Sequence, residues 1–514
     1  MTIFSDNPLT GERVATGLAE TSGPDVAAAC AAAARAAREL AGRPLAWRAE
    51  FLESIALALE GDADAIVADA DAETGLGATR LRGELARTCF QFRFFADVVR
   101  DGGFLEASID HPYESPMGPL PDLRRQLEPL GVVGVFGASN FPLAFSVPGG
   151  DTASALAAGC SVVIKAHPAH PLTSWRTFSC LASAAAVVGA PEGTLALVFG
   201  LDAGRALVSD EHVAAVGFTG SLGAGRALFD LAQSRAVPIP FYGELGSVNP
   251  LVVTPAAAAQ RGASLGAGLV ASVTLGSGQF CTKPGLLFVP AGEAGDRVVD
   301  AAVAALEGAS GATMLTTQIR DRFESGVERL EGVGATSRLA LSARATSEAG
   351  SFAALYQMDL DSLTGAREAV MTEYFGALAI VVRYDGLKEL LEALDSLEAA
   401  LTFSVHVGEG DGPHGPDEAA PALLALGARR AGRVIVNGYP TGVGVSWSMH
   451  HGGPYPASTD ALHTSVGASA VRRWLRPVSY QGVPAAWLPA ALRDDNPLNV
   501  PQRVDGVLRA RREE

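Results

Sequence analysis

Residues 131–171 read "GVVGVFGASNFPLAFSVPGGDTASALAAGCSVVIKAHPAHP". The stretch holds an apolar run, a turn carrying Asn140 and Pro142, a small-residue helical segment "DTASALAAG", and a second apolar run "SVVIKA". A short apolar run bounded by turn residues is the pattern of a strand buried on both faces. Two such runs joined by a helix make a βαβ unit, and that connection requires parallel strands. The pattern continues through "LALVFG" (195–200), "VAAVGFTG" (213–220) and "NPLVVT" (249–254), with helical stretches such as "PLTSWRTFSCLASAAAVVG" and "GAGRALFDLAQSR" between. The fold class is therefore α/β, with a parallel sheet of the Rossmann type, and such sheets in general bind nucleotides at the carboxyl ends of their strands.

Outward from this core the chain changes character. The first hundred residues read as helices, among them "PDVAAACAAAARAARELAG", with Pro24 at a first helical position and Gly42 beyond the end. The Pro-rich segment 110–130 suits an arm or hairpin. A second α/β stretch spans about 285–437 and ends on "RVIVN" (433–437). The tail from 471, "VRRWLRPVSYQGVPAAWLP", is basic, aromatic and Pro-rich, which suits packing against another subunit.

With 514 residues the chain has room for roughly two to four domain-sized units. A net charge of −17 argues against a nucleic-acid partner, since phosphate contacts need clustered Lys and Arg. The five cysteines are scattered without CxxC or Cys/His metal spacing, so free thiols in a reducing compartment are expected, and no metal. The start "MTIFSDNPLTGERVATG" has no signal-peptide pattern, and the uncharged runs 131–150 and 262–282 are too rich in Pro, Gly and Ser to span a membrane. A cytoplasmic location is expected.

Four short motifs carry candidate chemistry. In "GSGQFCT" (276–282), Cys281 sits in a Gly-rich turn, either as a nucleophile or as a packed small residue. Asn140 in "GASNFPL" could aim an amide at an oxyanion or simply make the turn. Glu244 in "YGELGSVNP" is either structurally paired or poised as a base by partial desolvation. "FTGSLGAG" (218–225) follows a strand and opens a helix, so its N–H groups can approach a phosphate, although it is not GxGxxG. Lys165, at the end of "VVIK", is either solvated or a contact for a nucleotide.

In this order, Asn140, Lys165, Gly220, Gly225, Glu244, Cys281 and "TEYFG" (372–376) resemble the aldehyde dehydrogenase superfamily over nearly the whole chain. The resemblance implies three parts: a nucleotide-binding domain over 1–110 and 130–245, a catalytic domain over 246–470, and an oligomerisation element combining 111–129 with 471–514. It implies a homodimer or homotetramer. It also implies roles. Cys281 is the nucleophile that forms a thioester, Asn140 an oxyanion donor, and Glu244 the base that activates water. Lys165, His167, Gly220, Ser221, Gly225, Glu373 and Phe375 would hold the cofactor. Arg87 and Phe141 would line the substrate tunnel.

Within the superfamily, "KAHPAHP", "YGELGSVNP", "GQFCTKPG" and "HGGPYPASTD" are similar to one branch. It comprises 2-oxoglutarate-semialdehyde (2,5-dioxopentanoate) dehydrogenases and NADP-linked long-chain fatty aldehyde dehydrogenases. Ser139 stands where the superfamily commonly has Trp. Pro168 replaces a Glu that binds the free ribose hydroxyls in many NAD-preferring relatives. Without that carboxylate, a 2′-phosphate meets no repulsion, and Lys165, with His167 once protonated, attracts it. NADP is the expected cofactor, with NAD also usable. A substrate carboxylate calls for a guanidinium, and Arg87 is the candidate. Outside this class, a cysteine esterase would not need two α/β units, and a non-catalytic relative would be expected to have lost one of Asn140, Glu244 or Cys281.

Overall fold

A computed structural model describes residues 1–410 and 417–511. Residues 411–416, inside the expected catalytic unit, and 512–514, at the end of the expected oligomerisation element, lie outside the described residues.

The apolar runs are strands. Val132–Phe136 and Ser161–Lys165 are buried at every position, as strands covered on both faces must be. They belong to a five-stranded sheet in the order Phe241–Glu244, Val213–Thr219, Val132–Phe136, Ser161–Lys165, Leu195–Val198. All four pairings are parallel. The chain leaves Val132–Phe136 to one side first and returns on the other side later. The carboxyl end of that strand is thus a topological switch point, where two loops diverge and leave a crevice.

A seven-stranded sheet follows, in the order Ser337–Leu341, Ala354–Asp359, Leu378–Tyr384, Leu286–Pro290, Pro250–Val253, Ala400–His406, Ala431–Val436. Only its first edge strand runs antiparallel. "RVIVN" supplies the opposite edge, Ala431–Val436. A third sheet joins Leu475–Gln481, Leu123–Pro129, Ala107–Asp110, Gln502–Val504 and Val507–Arg509. The Pro-rich segment before it does contain a hairpin, Tyr113–Ser115 with Gly118–Leu120.

The first helix runs Gly23–Ala41, capped by the Ser22 hydroxyl and ended at Gly42. Three more follow: Leu45–Gly61, Ala63–Thr74 and Ala78–Asp101. Before them lies an antiparallel pair, Thr2–Asp6 with Arg13–Ala19, where helices alone were expected. No described helix is long and apolar enough to cross a membrane.

Candidate active site

The two sheets bring their groups together from opposite ends. Asn140 follows strand Val132–Phe136, and Glu244 ends strand Phe241–Glu244, both at carboxyl ends of the first sheet. Cys281 lies ahead of Leu286–Pro290, at an amino end of the second sheet. The cysteine turn is held by backbone strain and side-chain anchors. Gly276, Ser277 and Gly278 all have positive φ, and a Cβ on Gly278 would come within 2.3 Å of the Gly376 backbone, so only glycine fits there. Asn249 Nδ2 donates to the Cys281 carbonyl at 2.7 Å and to that of Lys283 at 3.0 Å.

A cavity of about 780 Å³ opens at the switch point and reaches Cys281. Asn140, Phe141, His167, Gly220, Ser221, Glu244, Cys281, Glu373 and Phe375 all line it. Asn140 Nδ2 donates to the Gln279 carbonyl at 2.9 Å, which aims the amide at the cysteine turn and leaves its second hydrogen for another acceptor. The Phe141 ring stands edge-on to Phe280, with centroids 5.1 Å apart.

The three remaining expected site residues do not line the cavity. Gly225 packs behind it: a Cβ there would meet Leu245 at 2.2 Å, so it serves close helix–sheet packing. Lys165 is buried and has no carboxylate partner among the described residues; burial brings its ammonium down to about 8. The Arg87 guanidinium stands over the Phe145 ring, 5.0 Å from its centroid. The condition placed on His167, that it be protonated, is disfavoured by its surroundings. Burial, then His170 and Lys165 beside it, hold the ring well below its ordinary range, and Nδ1 accepts the Ala169 N–H at 3.1 Å. A neutral imidazole brings no charge to a phosphate.

One functional residue was missed in the sequence. His451 Nε2 lies 2.9 Å from Glu244 Oε1 and 3.5 Å from Cys281 Sγ. The Ser465 hydroxyl donates to Glu244 Oε2 at 2.8 Å. Burial pushes the Glu244 carboxyl up, but His451 and the Ser465 and Cys281 hydrogen bonds outweigh it and leave the group below its ordinary range. Glu244 is therefore both paired and desolvated, and pairing wins. Cys281 goes the other way: burial, then the Glu244 charge, raises its thiol well above the ordinary value. The thiol rests protonated and needs a proton acceptor within reach. The other four cysteines are buried and free.

The donor set fits a nicotinamide dinucleotide. Helix Leu222–Gln233 starts at the cavity wall with no side-chain cap from Ser221, so its first N–H groups stay open to a phosphate. A Cβ on Gly246 would strike Glu373 Oε2 at 2.3 Å, so this glycine keeps the carboxylate at the cavity wall. Burial raises the Glu373 carboxyl to about 7.

A nucleotide-type parallel sheet, joined to a second α/β unit by a Cys–Asn–Glu site, defines an enzyme class, and the chain belongs to the aldehyde dehydrogenase family, whose pattern it matches over residues 2–454. It is thus an oxidoreductase that converts aldehydes with NAD(P). Among curated relatives, it is 46% identical over 486 residues to alpha-ketoglutaric semialdehyde dehydrogenase 2 of Azospirillum brasilense, covering 94% of this chain and 91% of that one. It is 42% identical over 463 residues to alpha-ketoglutaric semialdehyde dehydrogenase of Acinetobacter baylyi, covering 90% and 87%. The crystal structure of PnpE, from Pseudomonas sp. WBC-3, in complex with nicotinamide adenine dinucleotide has the same fold. Its TM-score is 0.77 at 23% identity, with 96% of each chain covered.

Proposed function

We propose that this enzyme oxidises 2-oxoglutarate semialdehyde (2,5-dioxopentanoate) to 2-oxoglutarate, with NADP preferred and NAD also used. The observation that carries the substrate is the 46% and 42% identity to two enzymes so named, each over most of both chains. The cofactor preference rests on Lys165, a buried cation with no carboxylate partner among the described residues, and on Pro168, which stands in the cavity wall in place of a ribose-binding Glu.

The reaction follows from the site. The Cys281 thiol gives its proton to His451, which then stands as a cation beside the Glu244 carboxylate, and the thiolate attacks the aldehyde carbon to form a tetrahedral hemithioacetal. The free Nδ2 hydrogen of Asn140 and the Cys281 backbone N–H donate to the oxyanion as it develops. The nicotinamide, when bound, supplies the two-electron acceptor. Cys281 then carries the acyl group as a thioester. Glu244, held ionised by His451 and Ser465, takes a proton from water, whose oxygen attacks the thioester carbon. The carboxylate product leaves and the Cys281 thiolate is restored. Glu373 and Phe375 would hold the nicotinamide end of the cofactor, and Gly220 and Ser221 its phosphates. Phe141 forms a wall of the substrate tunnel, and Arg87 stands over Phe145, another residue of that wall.

We also assign residues 1–110 and 130–245 to nucleotide binding, 246–470 to catalysis, and 111–129 with 471–514 to oligomerisation in a cytoplasmic dimer or tetramer. Support for the last part comes from the free edge strand Leu475–Gln481 and from Trp487, 77% exposed.

The test is reduced-cofactor formation with 2-oxoglutarate semialdehyde and a long-chain aliphatic aldehyde in parallel, each with NADP and with NAD. A higher kcat/KM for the dicarbonyl acid supports the substrate. A higher kcat/KM for the long-chain aldehyde replaces it with a fatty aldehyde and leaves the mechanism standing.

A further inference from the structure

The two oxyanion donors come from segments far apart in the chain, the Asn140 amide from the turn after strand Val132–Phe136 and the Cys281 backbone N–H from the Gly-rich turn. One direct link joins the segments, the hydrogen bond from Asn140 Nδ2 to the Gln279 carbonyl at 2.9 Å. A third element, helix Ala78–Asp101, touches both. Arg80, in its first turn, donates from Nη2 to the Asn140 backbone carbonyl at 2.8 Å. Its guanidinium carbon lies 5.3 Å from the ring centroids of Phe141 and of Phe280, the residues after Asn140 and before Cys281. Those two rings meet edge-on at 5.1 Å, so the three groups close a triangle between the donors. Nη1 reaches the start of the cysteine turn: a Cβ on Gly276 would come within 2.7 Å of it.

One helical turn further on, Glu84 Oε1 accepts the N–H groups of Leu143 and Ala144, both at 2.9 Å. Residues four apart share a helix face. Arg80 therefore takes the carbonyl that enters the Pro142 turn, and Glu84 takes the amides that leave it. Arg80 forms no salt bridge among the described residues, so its bond to Asn140 is not a by-product of charge pairing. A guanidinium suits the place, because its planar fork donates to a carbonyl while the group packs against aromatic rings. The precision matters for the chemistry. Oxyanion donors act from roughly 2.7–3.1 Å, and a misplacement of about 1 Å can cost about 10²-fold in rate.

We propose that Arg80 is a positioning residue for the oxyanion site, holding the Asn140 amide in register with the Cys281 turn and acting on the reaction through Asn140. The proposal rests on the reading of Asn140 as an oxyanion donor. Arg80 is not part of the cavity wall, so its effect reaches the substrate through that amide. Attack by Cys281 and attack by water both build a negative oxygen and both need the donor in place. Alkylation of the thiol by iodoacetamide displaces iodide and builds no oxyanion, so it reads the cysteine turn alone.

The experiment compares the full-length enzyme with Arg80→Met, Arg80→Lys, Asn140→Ala and the double variant Arg80→Met with Asn140→Ala. The substrate is whichever of the two aldehydes in the test above is turned over faster. The expected result for Arg80→Met is a kcat lowered roughly 10- to 100-fold, with the KM for NADP and the rate of Cys281 alkylation unchanged. Arg80→Lys keeps a donor for the Asn140 carbonyl and should recover part of the loss. Added to Asn140→Ala, Arg80→Met should cost almost nothing more, because the group it positions is already gone. An unchanged kcat, an equal loss in both backgrounds, or alkylation slowed in parallel with turnover would reduce Arg80 to a support for the fold and overturn the proposal. If Asn140→Ala alone leaves kcat intact, the oxyanion reading fails and the proposal falls with it.

Discussion

His451 Nε2 sits 3.5 Å from Cys281 Sγ, although 170 positions separate the two residues. The contact exists because the segment carrying His451 lies flat on strand Ala431–Val436. A Cβ on Gly432 would come within 2.2 Å of the Gly452 carbonyl oxygen, so any other residue would push His451 off the nucleophile.

His451→Gln removes a proton acceptor next to a thiol that burial already holds protonated. Alkylation of Cys281 by iodoacetamide near neutral pH should slow by about 10²-fold, the scale of a lost general base. Its pH profile should also shift upward.

Glu244→Gln should split two readouts in opposite directions. The Glu244 charge raises the Cys281 thiol, so its removal should speed alkylation at a given pH. Turnover should fall by about 10²- to 10⁴-fold, because water activation is lost. Parallel alkylation and dehydrogenase assays on one preparation check both.

Asn140→Ala removes one oxyanion donor while the cysteine turn keeps its other anchors, Asn249 among them. Turnover should fall roughly 10²- to 10³-fold with alkylation little changed. Equal losses in both would point to a collapsed turn.

Lys165 ties cofactor choice to pH. Its ammonium, lowered to about 8 by burial, is charged below that pH and discharges above it. Attraction for a 2′-phosphate is then present at pH 7 and lost as pH rises through the folded pKa. The KM for NADP should climb across this interval while that for NAD stays level, and Lys165→Met should abolish the difference.

Much of this was legible in the chain because strands buried on both faces leave short apolar runs, and Val132–Phe136 and Ser161–Lys165 are such strands. Cys281, Glu244 and Asn140 each stand in a turn whose neighbours mark it. His451 gave no such mark: a histidine in a Gly-Pro loop has no period, and its place depends on Gly432 meeting Gly452 across the fold. The pair Thr2–Asp6 and Arg13–Ala19 escaped because its strands are short and largely exposed, with little apolar alternation to read. The charge of His167 could not be read either, since it depends on burial against His170.

The central claim is that Cys281 carries the substrate through a covalent acyl stage. Glu244→Gln should let that stage accumulate, so the variant would be mixed with 2-oxoglutarate semialdehyde and NADP, quenched in acid, digested and weighed by mass spectrometry. The account predicts an acyl adduct on the Cys281 peptide alone, approaching one per active site and absent without cofactor. An adduct on another cysteine, or none while reduced cofactor still forms, would contradict it.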